Sequence, residues 1–197
     1  MEFSRRDFVS TGLAGAAGAL AAQSLAIDLA AAPIQMADED GYKLWLRFAP
    51  PGAMAARYRQ SLRQVVVEGN SATAGIIRGE LTEGTAGMFG TAVPVVQQGV
   101  AEGALVIGTP ANSAAIRGLG WQTELTALGP EGYRIRAARI GNRQVTAVAS
   151  DGEIGALYGA YHFLRLLQTG QPIDRLDITE RPKVQLRMLN HWDNMNG

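Results

Sequence analysis

Residues 150–172 read "SDGEIGALYGAYHFLRLLQTGQP", the best-specified element of the sequence. Ile154, Leu157, Tyr161 and Leu164 recur at helical spacing, and a second stripe of Ala156, Ala160, Phe163 and Leu167 widens the apolar face. A face that broad needs a sheet beneath it rather than a single partner helix. Ser150 and Glu153 have the spacing of a capping box, while Gly170 and Pro172 mark the stop. Gly152, Gly155 and Gly159 admit two readings, a phosphate-binding loop or close helix–sheet packing. The Gly-x-Gly start of a nucleotide loop is missing, so close packing is favoured.

Working outward, "YRIRAARI" (133–140) and "RQVTAVA" (143–149) flank Gly141-Asn142 and read as a hairpin, with Tyr133, Ile135 and Ala137 opposite Arg134 and Arg136. Further upstream, "GALVIGTP" (103–110) and "LRQVVVEG" (62–69) are short continuous apolar strands. A helical piece around 53–60, a glycine-diluted helix over 71–90 carrying Ile76, Ile77, Leu81 and Met88, and a helix begun by "ANSAAIRGLG" connect them. "GYKLWLRFAP" (41–50) alternates and predicts a first strand closed by Pro50-Pro51. Downstream, "IDRLDI" (173–178) predicts a short strand, and "KVQLRMLNHW" (183–192) a further one after Arg181-Pro182. Helices alternating with strands predict an α/β fold, a mixed sheet with helices packed on it, over 41–180. Residues 181–197 then read as the first strand of a second domain.

Composition narrows the function. An apolar share of 47% supports a packed core. Eighteen cationic side chains balance eighteen anionic ones, which argues against nucleic acid and anionic membrane surfaces as partners. With no cysteine, disulfides, zinc ribbons and thiol nucleophiles are excluded from this chain. "SRRDFV" (4–9) followed by an Ala/Gly/Leu-rich run predicts a twin-arginine export signal over 1–26, hence a periplasmic or secreted protein with no membrane association after cleavage. An uncleaved anchor is the weaker reading, because the run falls short of a stable span. Residues 27–40 read as a linker.

Few constellations carry chemistry. His162 and His191 are the two histidines and lie far apart, so no metal site is expected, and a packed, hydrogen-bonded role is favoured for His162. No Gly-x-Ser-x-Gly elbow is present. "GTPANS" (108–113) is a weak anion-site signal against a plain strand-to-helix loop, and Asp174, Asp177 and Glu180 read as a solvated rim. "NHWDN" (190–194) stands out: an indole, an imidazole, a carboxylate and two carboxamides in five residues after an apolar run. Sugars are held by stacking on aromatic rings and by hydrogen bonds from such groups. A tryptophan plugging a domain junction is the competing reading, and chemistry alone does not separate the two.

From Gly41 to Gly197 the sequence resembles the N-terminal region of bacterial and fungal α-glucuronidases, glycoside hydrolase family 67. The resemblance is carried by "GYKLWLRF", "RGELTEGTAGMFG", "ALVIGTPANSAAIRGLGW", "LGPEGYRIR", "IGALYGAYHFLRLLQTGQPIDRLDI" and above all "LRMLNHWDNMNG". "EGYRIR" with "GALYGAYHFLRLLQ" is a looser theme, similar to the domain preceding the barrel in β-hexosaminidases. The resemblance implies an accessory α/β domain ahead of a (β/α)₈ catalytic barrel, with residues 181–197 beginning that barrel and the chain truncated there. It implies inverting hydrolysis of the α-1,2 link between (4-O-methyl-)glucuronic acid and xylo-oligosaccharides in xylan degradation, without a cofactor.

The catalytic carboxylates of the family lie downstream of position 197, so this piece alone is expected to be inactive. Trp192 matches the tryptophan of the uronic acid pocket, while His191, Asp193 and Asn194 match by position as substrate-binding residues. Expected partners are glucuronoxylan-derived oligosaccharides and the protein's own barrel, with a homodimer left open. The alternatives are a non-catalytic carbohydrate-binding or scaffold module and the accessory domain of a β-hexosaminidase-like glycosidase.

Overall fold

Three consecutive valines after Gln64 and five buried residues over 104–108 cannot be half-solvated strands, because neither run alternates. Parallel strands covered on both faces meet that demand. The computed structural model describes residues 47–184 and 186–188. Its elements run α1 (Met54–Ser61), β1 (Gln64–Val67), α2 (Ala72–Phe89), β2 (Val95–Val96), β3 (Ala104–Gly108), α3 (Ala114–Arg117), α4 (Gln122–Leu128), β4 (Tyr133–Ile140), β5 (Arg143–Ser150), α5 (Glu153–Gln168) and β6 (Asp177–Glu180). Among the described residues the strands form one sheet in the order β2-β1-β3-β5-β4-β6. β1 pairs in parallel with β2 and β3, and β3 with β5; β4 pairs antiparallel with β5 and β6. This is the mixed α/β sheet expected.

The strand pleat divides the core. Val65, Val67, Leu105, Ile107, Ile135 and Val148 face α1, α2 and α5. Val66, Ala104, Val106, Val145, Ala147 and Ala149 face Ile116 of α3 and Leu125 of α4. The hairpin falls at the expected residues, with Ile140 opposite Arg143. Gly141 takes a positive φ of 62° at the first turn position, as a II′ turn requires.

On α5 the two predicted stripes are unequal. Ala156, Ala160, Phe163, Leu164 and Leu167 are buried, whereas Ile154 is 44% exposed. Gly155 and Gly159 explain the difference. A Cβ on Gly155 would collide with Ser150 Oγ and lie 2.7 Å from the Gly132 carbonyl oxygen. One on Gly159 would strike Val148 and lie 3.2 Å from the Tyr133 ring. These glycines let the helix backbone settle onto the hairpin, which confirms the packing reading.

Several expectations need correction. The capping box does not form: Gly152 is the N-cap of α5 with no side-chain bond, and Glu153 turns away toward Ser71 and Asn112. The strand predicted over 41–50 is not extended where it is described. Residues 47–50 lack regular structure, and Phe48 is buried with a φ of +48°. Its ring fits against Gly84 of α2, and its Cβ and carbonyl oxygen against Gly87, where any added Cβ would crowd them. The glycines that dilute α2 thus make room for Phe48. Ile77, Leu81 and Met88 are buried as expected, but Ile76 is exposed.

The strand placed at 173–178 begins instead at Asp177, because Ile173 and Leu176 are drawn into the core. The strand predicted over 183–192 is not formed at residues 183, 184 or 186–188, and the remainder lies outside the described residues. β2 is an addition to the expected set, since two residues carry no periodicity.

The glycine contrast is testable by urea unfolding. Gly155→Ala should destabilise the protein by about 2 kcal/mol or more, as overpacking against backbone does. Gly75→Ala, on the exposed side of α2 with nothing within 4 Å of a new Cβ, should stabilise it by roughly 0.5–1 kcal/mol. Equal effects would remove the packing explanation.

Candidate functional site

α/β sheets bind ligands beyond the carboxyl ends of their strands, where successive connections turn to opposite faces. Here that point lies between β1 and β3: α2 leaves β1 toward one face, and α3 and α4 leave β3 toward the other. The sequence places Glu68, Ser71, Thr109, Asn112 and Ser113 there, polar groups able to bind a ligand.

They bind one another instead. The Glu68 carboxylate accepts from Ser113 Oγ at 2.9 Å, Ala114 N at 2.9 Å and Ala115 N at 3.2 Å, so it fills the N-terminus of α3. Glu153 Oε1 accepts from Ser71 Oγ at 2.9 Å and Asn112 Nδ2 at 2.8 Å, joining the starts of α5, α2 and the β3–α3 loop. Arg78 donates to the carbonyls of Val67 and Gly69 at 3.2 and 2.8 Å. Asn112 Oδ1 accepts from Thr109 N at 2.8 Å. The edge that could cradle an anion already contains two carboxylates with their donors. The "GTPANS" segment is a strand-to-helix loop capped from within, and its polarity serves cohesion.

A second polar region lies where the chain leaves the sheet. β6 runs antiparallel to β4 and pairs Glu180 with Tyr133, so the chain exits at the same end as the carboxylate network. A cavity of about 270 Å³ there is lined by Tyr133, Tyr158, Glu180, Arg181, Pro182 and Arg187. Tyr133 Oη lies 3.0 Å from Nδ1 of His162, and the two rings meet edge to face. Burial, aided by Glu180, raises the Tyr133 phenol above its ordinary value. Burial also lowers the His162 ring below 6.5, with Glu180 opposing the shift and Arg165 adding to it. His162 is the packed, hydrogen-bonded histidine expected.

The third polar cluster is on the far face of β4. Arg134 and Arg136 lie 5.5 and 5.8 Å from the Trp121 ring. Arg134 also pairs with Glu124, and both arginines reach Asp177. Trp121 is thereby engaged by cations of its own chain. Asp174, Asp177 and Glu180 are exposed, as a rim should be. Among the described residues no three His, Asp or Glu side chains converge as a metal site would require. The predicted substrate-binding residues His191, Trp192, Asp193 and Asn194 lie outside the described residues. Sequence reasoning missed Glu68, Tyr158 and Arg187, whose partners are 45 residues, 29 residues and 56 residues away along the chain.

The model of the glycosyl hydrolase family 67 N-terminus matches residues 44–163. That is most of the chain. This chain belongs to glycosyl hydrolase family 67. The family's middle-domain model matches residues 166–197, beginning inside α5. The sheet itself continues further, since β6 still pairs with β4.

Among curated relatives, "Alpha-glucuronidase A" of Emericella nidulans is 31% identical over 165 residues, covering 80% of this chain and 18% of the relative. "Probable alpha-glucuronidase A" of Aspergillus oryzae is 27% identical over 162 residues, 81% of this chain and 19% of the relative. "Alpha-glucuronidase A" of Aspergillus tubingensis is 28% identical over 165 residues, with 82% and 19% covered. The chain spans about a fifth of the length of these relatives.

Two outcomes check the roles assigned to these clusters. Replacing Glu153 by Ala should leave Ser71 and Asn112 without their shared acceptor and lower stability by about 1–2 kcal/mol in urea titration; an unchanged midpoint would contradict the bridging role. Because His162 is depressed in the folded state, the unfolded chain binds the proton more readily. Its contribution is complete above about pH 6.5 and declines as pH falls below that value. His162→Gln should therefore flatten the loss of stability between about pH 7 and pH 5 relative to the parent, and parallel curves would refute this.

Proposed function

We propose that this chain is the amino-terminal part of an exported α-glucuronidase that releases (4-O-methyl-)glucuronic acid from xylo-oligosaccharides by inverting hydrolysis. The observation that carries the reading is the run of two successive family 67 matches, N-terminal then middle domain, over residues 44–163 and 166–197. The matched relatives carry the name α-glucuronidase, which supports the reaction class of this reading.

The chemistry divides between the α/β domain and the barrel after it. Inversion needs a carboxylic acid at the leaving oxygen and an opposing carboxylate to activate water, roughly 6.5–9.5 Å apart across an open site. Glu68 and Glu153, the carboxylates drawn together at the sheet edge, accept hydrogen bonds from their own chain instead. The α/β domain therefore serves as a scaffold, with the acid and base on the barrel beyond position 197. Trp192 supplies a stacking face for the uronic acid, and His191, Asp193 and Asn194 supply polar contacts around it. The twin-arginine signal over 1–26 takes the folded protein to the periplasm or beyond, where xylan fragments are met.

The test is to express the polypeptide read through beyond Gly197 and supply a glucuronoxylo-oligosaccharide. Proton NMR should show the β-anomer of the released acid first, as inversion demands; the α-anomer first, or no release, would refute the reading. In that protein Trp192→Ala should lower kcat/KM by at least about tenfold, equivalent to ~1.4 kcal/mol of transition-state stabilisation, with an unchanged circular dichroism spectrum. An unaltered kcat/KM would remove Trp192 from the pocket.

A further inference from the structure

Beyond Pro182 the chain shows its apolar side chains to solvent: Val184, Leu186 and Met188 are 60%, 75% and 79% exposed. Arg187, between the last two, behaves differently. Its Nη2 donates to Glu131 Oε2 at 2.6 Å and meets the Tyr158 hydroxyl at 3.3 Å. Its guanidinium sits 5.4 Å from the centre of the Tyr158 ring, and Nη1 donates to the Val184 carbonyl at 2.7 Å. One planar group thus joins three separate pieces of chain: the turn before β4, the exposed side of α5, and the departing segment itself.

The supports are anchored in the fold. Glu131 precedes Gly132, whose carbonyl accepts from the buried Ser150 hydroxyl at 2.6 Å. Tyr158 adjoins Gly159, the point where α5 lies closest to the hairpin. Among the described residues after Pro182, it is Arg187 that hydrogen-bonds to the sheet domain.

We propose that Arg187, gripped by Glu131 and Tyr158, is a positioning residue that sets the direction in which the polypeptide leaves the α/β domain. Its consequence for catalysis rests on the α-glucuronidase reading, because His191 and Trp192 come only four and five positions later. Arginine suits the role where lysine would not. A planar fork holds a carboxylate and stacks on a ring simultaneously, whereas an ammonium is a point charge on a flexible stem. An exposed pair of this kind adds little to folding stability, so its loss should alter direction while leaving the fold in place.

Two measurements test the joint. In the 197-residue chain, tryptic cleavage of the Lys183–Val184 bond should accelerate at least about fivefold in Glu131→Ala, with the thermal midpoint unchanged. A rate within about twofold of the parent would overturn the proposal. In the read-through enzyme, Glu131→Ala should lower kcat/KM at least about fivefold without changing the thermal midpoint. The exchanged pair Glu131→Arg with Arg187→Glu restores the ion pair but not the contact with Tyr158 and should recover part of that loss, while Arg187→Lys, which keeps the charge without the planar fork, should fall below the parent. An unaffected kcat/KM, or a loss that the exchange leaves untouched, would overturn the catalytic consequence. A parent enzyme that releases no uronic acid counts against the functional reading, and the cleavage rates then decide the joint by themselves.

Discussion

The close approach of α5 to the β4–β5 hairpin fixes how the remaining elements can be placed. Without side chains at 155 and 159, the helix backbone meets Gly132, Ser150 and Val148 directly. That contact sets the rotation of the helix about its axis, and each polar position on it acquires a fixed destination. Glu153 reaches Ser71 and Asn112, His162 lies under Tyr133, and Tyr158 faces the departing chain. A helix held away by one Cβ would displace all three. Close packing transmits such a displacement because interiors have few voids to absorb it.

The same end of the sheet shows how a fold can keep a ligand-binding geometry and use it for cohesion. An empty switch point would leave the amides of α3 and the carbonyls of β1 seeking partners. Glu68, Glu153 and Arg78 meet those needs from within. Buried polar groups that are fully partnered favour one arrangement over others. The cost is that Glu68, Ser71, Asn112, Ser113 and Glu153 are committed to partners within the chain rather than turned toward a ligand.

Much of this is legible from the residues. The hairpin is readable because Gly141-Asn142 separates two runs whose alternation agrees on one register, and the strands of 62–69 and 103–110 because they are apolar without interruption. Phe48 is misleading because alternation over 41–50 says nothing about two glycines nearly forty residues later that open a groove for it. The apparent capping box fails for a related reason: local spacing nominates Ser150 as the partner of Glu153, but Ser150 is held by Gly132 and Glu153 finds better donors across the sheet. The sequence-predicted sugar-binding cluster lies outside the described residues, so its reading still rests on residue chemistry and family membership. Long-range polar pairs such as Glu131 with Arg187 leave no local signal.

Energy and direction are separable at the domain exit. Covering a valine, a leucine and a methionine is worth about 1.5–3 kcal/mol each on full burial, and Val184, Leu186 and Met188 are mostly uncovered here. The Arg187–Glu131 pair, with both side chains more than a third exposed, contributes little once water and salt have screened it. Hydrophobic contact therefore supplies most of the attraction between this segment and any domain that packs on it, yet it is indifferent to angle. A planar guanidinium stacked on a ring and pointed at one carboxylate is selective for angle while adding little energy. In the proposed joint, the direction in which the chain leaves at Arg187 depends on Tyr158 of α5, and hence on the two glycines that seat that helix.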